Sequence, residues 1–287
     1  MKKIMELSNG ISMPQLGFGV FQIPTHEDAK KATLQAIKAG YRLIDTAAAY
    51  MNERAVGEAI KESGVPREDL FITTKLWVQD MGYEATQKAI DHSLARLDLD
   101  YLDLYLIHQP LNDVYGSWRA MEDAYDAGKL KAIGVANFEN DRLQDLMINN
   151  RIKPMVNQIE LHPFHAQFKR VQWLQKQGIV AEAWGPFAEG KQQIFSNPII
   201  KKIAQSHEKT TGQVILRWLT QRGIVVIPKS VHEERIVENF AITDFELTAL
   251  EMDMMSTLDQ KQSLFGDMHD PETVVTLEKM HLDYDER

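Results

Sequence analysis

Short apolar runs alternate along the chain with longer segments in which apolar residues recur every three or four positions. The runs are Leu16–Val20, Arg42–Asp45, Leu70–Lys75, Tyr101–His108, Leu130–Val135, Met155–Ile159, Ile179–Trp184 and Ile224–Ile227. They carry little polar alternation, as expected for strands buried on both faces of a parallel sheet. The segments between them read as amphipathic helices. Ala29, Ala32, Thr33, Ala36 and Ile37 share one helical face, as do Val56, Ala59, Ile60 and Ser63, and later Leu143, Leu146 and Met147. Gly40 and Gly64 fall where helices end in a left-handed residue. Eight strand–helix units predict an α/β fold, a (β/α)8 TIM barrel. The rival is a doubly wound open sheet, but Gly17-Phe18-Gly19 lacks the third glycine of a dinucleotide fingerprint.

Asn9-Gly10 between Ile4–Leu7 and Ile11–Met13 predicts an N-terminal β-hairpin, whose second arm Pro14 keeps short. The interval from Trp184 to Ile227 is longer than the others and predicts an extra loop or short helix. A final helix over about Glu246–Thr257 is expected to precede a short, irregular C-terminal tail. With no linker-like stretch, residues 1–287 read as one domain.

Composition narrows the chemistry. The 287 residues include no cysteine, which excludes disulfides, thiolate metal sites and cysteine nucleophiles. With 32 Lys and Arg against 41 Asp and Glu the net charge is −9, a poor match to nucleic acid. No run spans a bilayer, and no apolar core of signal-peptide length follows Lys2 and Lys3. A monomeric cytoplasmic protein is expected, with a small molecule as partner and neither membrane nor nucleic acid.

In such barrels chemistry gathers at the C-terminal ends of the strands. Asp45, Lys75 and His108 each end an apolar run, and Tyr50 follows Asp45 in the next loop. An ammonium beside a phenol stabilises phenolate and lowers the tyrosine pKa. Asp45 can hold Lys75 charged, and His108 can bind the same substrate oxygen. The cluster suits proton delivery to a carbonyl oxygen while hydride reaches carbon. Hydride has to come from a cofactor. Singly, each residue has an ordinary structural reading; their joint placement carries the argument. His162 and His165 are three apart, but Pro163 argues against one helical face, and no metal site is expected.

Several stretches resemble the aldo-keto reductase family. They are Gly40-Tyr-Arg-Leu-Ile-Asp-Thr-Ala-Ala-Ala-Tyr-Met-Asn-Glu53, Leu102-Asp-Leu-Tyr-Leu-Ile-His108, Gly134-Val-Ala-Asn-Phe138, Val156-Asn-Gln-Ile-Glu160 and Ile227-Pro-Lys-Ser-Val-His-Glu-Glu-Arg-Ile-Val-Glu-Asn239. The likeness runs from about residue 3 to about 260 and is greatest to the short bacterial reductases grouped with 2,5-diketo-D-gluconate reductase. It implies a catalytic tetrad of Asp45, Tyr50, Lys75 and His108, and NADP(H) stretched across the barrel mouth. By the same resemblance Asn137 and Gln158 hold the nicotinamide carboxamide and Trp184 stacks on the ring. Gly185 and Phe187 line the pyrophosphate, and Lys229, Ser230, Arg235, Glu238 and Asn239 take the adenosine end. Val20 and Phe21 lie beside cofactor and pocket, and Trp77 is the favoured pocket wall over Trp118. Lys229 to Arg235, two cations and a hydroxyl at a helix start, also suit a phosphate on physical grounds.

Four positions depart from the family pattern: Ala136 for Ser, Gln109 for Trp, Met51 for Gly and Phe187 for Leu. The implied activity is NADPH-dependent reduction of small aldehydes and ketones, among them keto-sugars and 2-oxo-aldehydes. Two alternatives remain at this stage. One is a Schiff-base aldolase with Lys75 as nucleophile. The other is a non-catalytic, NADP-bound regulatory protein.

Overall fold

The computed structural model describes residues 4–267 and 270–284. A hairpin of β1 (Ile4–Glu6) and β2 (Ser12–Pro14) comes first. Eight parallel strands follow: β3 (Gly17–Gly19), β4 (Leu43–Asp45), β5 (Phe71–Leu76), β6 (Leu104–Ile107), β7 (Ile133–Ala136), β8 (Val156–Glu160), β9 (Val180–Trp184) and β10 (Val225–Val226). Each pairs with the next in chain order, and each of the eight expected runs overlaps one strand, with β5, β7 and β8 each running one residue further. Between β10 and β3 the ring is drawn together by a parallel bridge of Leu16 with Val226 and by Gly19 N–H donating to Pro228 O at 3.2 Å. Gly19 is required there: a Cβ would stand 2.9 Å from Ile227 O.

Period-2 alternation sorts the strand residues between two cores. Ile44, Ile72, Leu76, Tyr105 and Ile107 face outward into the layer shared with the helices. The helix His26–Ala39 buries Ala29, Ala32, Thr33, Ala36 and Ile37 against that layer, the face expected from its periodicity. Leu43, Phe71, Leu104, Leu106, Val156, Val180, Val225 and Ile227 fill the barrel interior, where Leu7 and Met13 of the hairpin join them. The hairpin therefore packs on the interior core away from the strands' C-terminal ends. On these same inward-facing registers, nearer the C-terminal ends, stand the polar residues Asp45, Lys75, Gln158 and Glu182.

The long interval after Trp184 holds a kinked stretch at Ala188–Ser196 and a helix at Pro198–Ser206, before the barrel helix Thr211–Gln221. The helix expected over Glu246–Thr257 is shorter, Ala249–Ser256. Thr248 caps it in a reciprocal pair with Glu251, which sets its start. The tail departs from expectation too. It contains a helix, Pro271–Glu278, capped by Asp270 with Pro271 in its first turn. Among the described residues no helix is long and apolar enough to cross a membrane.

Candidate active site

Asp45, Lys75 and His108 come together from β4, β5 and the residue after β6. Lys75 Nζ lies 2.5 Å from Asp45 Oδ1, donates to Thr46 O at 2.8 Å and reaches Tyr50 OH at 3.2 Å. Tyr50 ends a short turn, Ala48–Tyr50, that Met51 closes with φ 60°. Only a left-handed residue closes the turn in this way, which gives the Gly common at this position its physical reason. The loop is pinned from below. Asn52 donates to Val20 O at 2.9 Å and accepts from Thr46 Oγ1 at 2.7 Å. The buried Glu53 then accepts from Thr74 at 2.6 Å and pairs with Arg96 at 2.6 Å.

Burial decides the protonation states. Lys75 is 0% exposed and Asp45 1%. Burial pulls the Lys75 ammonium down, but Asp45 and Tyr50 outweigh it and its pKa is raised. Burial raises Asp45 against the pull of Lys75. Tyr50 corrects the sequence-based expectation: its pKa is raised, because desolvation outweighs the neighbouring ammonium. The phenol thus keeps its proton. His108 is held well below the usual histidine range by burial and then by Lys75, so its imidazole is neutral.

The walls are aromatic. Phe21, 47% exposed, sets its ring 4.8 Å from that of Tyr50. His108 stands edge-on to both Tyr50, at 5.7 Å, and Trp77, at 5.2 Å. Trp77 is buried because the tail crosses it: Nε1 donates to Met280 O at 3.2 Å, and Gln79 exchanges two hydrogen bonds with the Leu282 backbone. Tyr284 adds a bond to Asp80 at 2.5 Å. Sequence reasoning missed this strap; Trp118, by contrast, is ordinary core.

Asn137 sits at φ 64° just past β7, with three amide hydrogen bonds to protein. Its Nδ2 donates to His108 O at 3.0 Å and to Gln109 Oε1 at 3.3 Å, and its Oδ1 accepts from Trp184 Nε1 at 2.8 Å. Gln109, one of the departures, therefore braces Asn137. Gln158 commits Nε2 to Asp45 Oδ2 at 2.8 Å and to Glu182 Oε2 at 3.0 Å. Trp184 packs edge-on to Phe265 at 5.1 Å. The segment carrying Phe265 is latched to Glu160, which accepts from Ser263 at 2.6 Å and from Leu264 N at 3.0 Å and is bonded to His162 at 2.9 Å.

The remaining candidates spread along the mouth. Val20 is buried at the end of β3, and its N–H donates to Asp45 O at 3.1 Å. Gly185 follows Trp184 with φ 57°. Phe187 and Asn239 meet over Gly212, where a Cβ would stand 3.7 Å and 3.4 Å from their side chains. Glu238 accepts from Thr210 at 2.7 Å. Ser230 accepts from His232 N at 3.1 Å, just before the helix Glu233–Phe240. Lys229 and Arg235 are exposed and have no ion-pair partner among the described residues.

Sequence reasoning also missed Glu182, a carboxyl on β9 buried beneath the mouth. Burial, and then the charge of Asp45, push it up to about 8.

A barrel whose strand ends gather Asp45, Tyr50, Lys75 and His108 defines a class of oxidoreductase. Residues 15–260 match the Aldo/keto reductase family, and the chain belongs to it. It is 49% identical over 263 residues to the glyoxal reductase of Bacillus subtilis (strain 168), covering 91% of this chain and 95% of that protein. It is 44% identical over 284 residues to the morphine 6-dehydrogenase of Pseudomonas putida, covering 94% and 96%. Among solved structures, the aldo-keto reductase of Bombyx mori in complex with NADP superposes with a TM-score of 0.88 at 33% identity, covering 93% and 95%.

Proposed function

We propose that this enzyme reduces small aldehydes and ketones with NADPH, with Tyr50 as proton donor. The observation that carries the reading is Lys75 Nζ between Asp45, at 2.5 Å, and Tyr50, at 3.2 Å. The ammonium is poised to stabilise the phenolate that remains once the proton has left. Asp45 keeps that ammonium charged, and His108, as a neutral imidazole, orients the carbonyl oxygen through Nε2.

The donor set fits the cofactor. Lys229 and Arg235, without acidic partners among the described residues, lie before and within the first turns of a helix, where phosphate is favoured. Glu233 and Glu234 share that turn and oppose the charge, so the attraction has to be local. Ser230 would join the two cations on the 2′-phosphate. Glu238 and Asn239 would hold the adenosine, and Gly185 and Phe187 the pyrophosphate. Trp184 would stack on the nicotinamide. Because Gln158 uses Nε2 inside the protein, it would accept the carboxamide N–H through Oε1. Asn137 would act mainly by fixing Trp184. When bound, NADPH supplies the hydride.

Phe21, Trp77 and His108 would surround the substrate. A relative that is a glyoxal reductase favours short 2-oxo-aldehydes first. A morphine dehydrogenase at similar identity is the reason to test bulky ketones as well. A Schiff base at Lys75 is disfavoured, since a charged lysine paired at 2.5 Å is a poor nucleophile. The test is a panel of glyoxal, methylglyoxal, keto-sugars and aromatic ketones with NADPH, followed by loss of the reduced cofactor's absorbance. Turnover of the dicarbonyls supports the reading. A borohydride-trapped adduct on Lys75 without NADPH turnover would overturn it.

A further inference from the structure

Among the described residues, the neighbouring carboxyls Asp45 and Glu182 inside the barrel share one cation, Lys75. Asp45 and Glu182 are 1% and 0% exposed, and the single amide of Gln158 joins them at 2.8 and 3.0 Å. Lys75 pairs with Asp45 and makes no bond to Glu182. On one side Glu182 is in register with Gln158 of β8, and on the other with the apolar Val225 of β10. The titrating groups that act on it or feel its charge are Asp45 of β4, Lys75 of β5 and Tyr50 of the loop after β4. Among the described residues Glu182 Oε1 has no hydrogen-bond partner. A second buried anion without a cation is costly, and such a group takes up a proton instead. The upward shift of Glu182 to about 8 agrees with that count.

We propose that Glu182 is a positioning residue that holds a proton while the mouth is neutral and releases it when a cation docks beside Gln158. The cation is oxidised nicotinamide, which rests on the reading above that Gln158 meets the cofactor's carboxamide. The reduced ring is neutral and leaves Glu182 protonated. Binding of NADP+ is then coupled to loss of a proton: the Glu182 O–H bond breaks, its electron pair stays on the carboxylate, and the proton goes to buffer. Binding that releases a proton tightens as pH rises. Glu182 thus supplies a counter-charge specific to the oxidised cofactor.

The test measures Kd for NADP+ and NADPH by quenching of tryptophan fluorescence from about pH 6 to about pH 9, across the usual histidine range and beyond. Proton release is read by calorimetry in two buffers of different ionisation enthalpy. Taking the ratio of the two constants removes the titration of the shared 2′-phosphate. The NADP+/NADPH ratio should fall about tenfold for each unit by which the bound cation lowers the Glu182 pKa. Proton release beyond that shared with NADPH should accompany NADP+. Glu182→Gln keeps an acceptor for Gln158 and should abolish both effects. A pH-independent ratio in the wild type, or an unchanged slope in Glu182→Gln, would overturn the proposal. Should that variant not fold, isotope-edited infrared spectroscopy of labelled glutamate in the wild type replaces it. NADP+ must then convert a carboxyl band to a carboxylate band, and no conversion overturns the proposal. Failure of either cofactor form to bind would instead overturn the reading of the mouth as an NADP site.

Discussion

The Lys75 ammonium sits 3.2 Å from the Tyr50 hydroxyl, yet burial holds the phenol's proton more tightly than water would. In the proposed reaction Lys75 would therefore matter most after the proton leaves, when it would face a phenolate in a low-dielectric site. Lys75→Met removes that stabilisation and leaves Asp45 buried without a cation. Turnover should fall as far as in a tyrosine knock-out, while NADPH, for which the proposed contacts lie chiefly away from Lys75, should bind within a few-fold of wild type. Steady-state rates beside fluorescence titration test this; near-normal turnover in the folded variant would contradict it.

The pH dependence follows from the two shifts. With Tyr50 as the proposed proton donor, reduction would need the phenol protonated, and its raised pKa keeps it so through neutral and mildly alkaline pH. Single-turnover reduction should stay flat there and fall only above the ordinary tyrosine value of about 10. His108 is depressed, so its neutral form persists well into acid, and no inflection should appear near the ordinary value of about 6.5. Alcohol oxidation, which would need phenolate on the same assignment, should rise with pH instead. Single-turnover rates separate these effects from cofactor release. A fall in reduction centred near neutrality would contradict the assignment.

Cofactor choice tests the exposed cations. Arg grips phosphate through two parallel hydrogen bonds, and a bond to a charged group contributes about 1.5–3 kcal/mol. Arg235→Ala should weaken NADPH roughly 10- to 150-fold and leave NADH nearly unchanged. Added salt should narrow the NADPH preference, because the pair is exposed. Dissociation constants for both cofactors at low and high salt decide it. Equal losses would make Arg235 a structural residue.

How far the sequence reached depended on what its patterns encode. Asp45, Lys75 and His108 were legible because an ionisable residue that ends an apolar run lies at a strand's C-terminal end. Glu182 was not, since it sits mid-run between Val180 and Trp184, where the apolar pattern hides it. Its one signal is period 2, which places it on the same face as Trp184. The strap over Trp77 is carried by the carbonyls of Met280 and Leu282, and backbone acceptors leave no mark on side-chain pattern. The direction of the Tyr50 shift was misread because the neighbouring ammonium is visible in sequence and the depth of burial is not.

Tyr50→Phe is the most direct test of the proton-donor assignment. It removes one oxygen and keeps the ring that packs against Phe21 and His108. General-acid assistance is worth roughly 100- to 10,000-fold. NADPH affinity and single-turnover reduction of methylglyoxal should be measured on the same preparation. The account predicts a Kd within a few-fold of wild type and a rate lower by about that factor. A rate within a few-fold of wild type would contradict it.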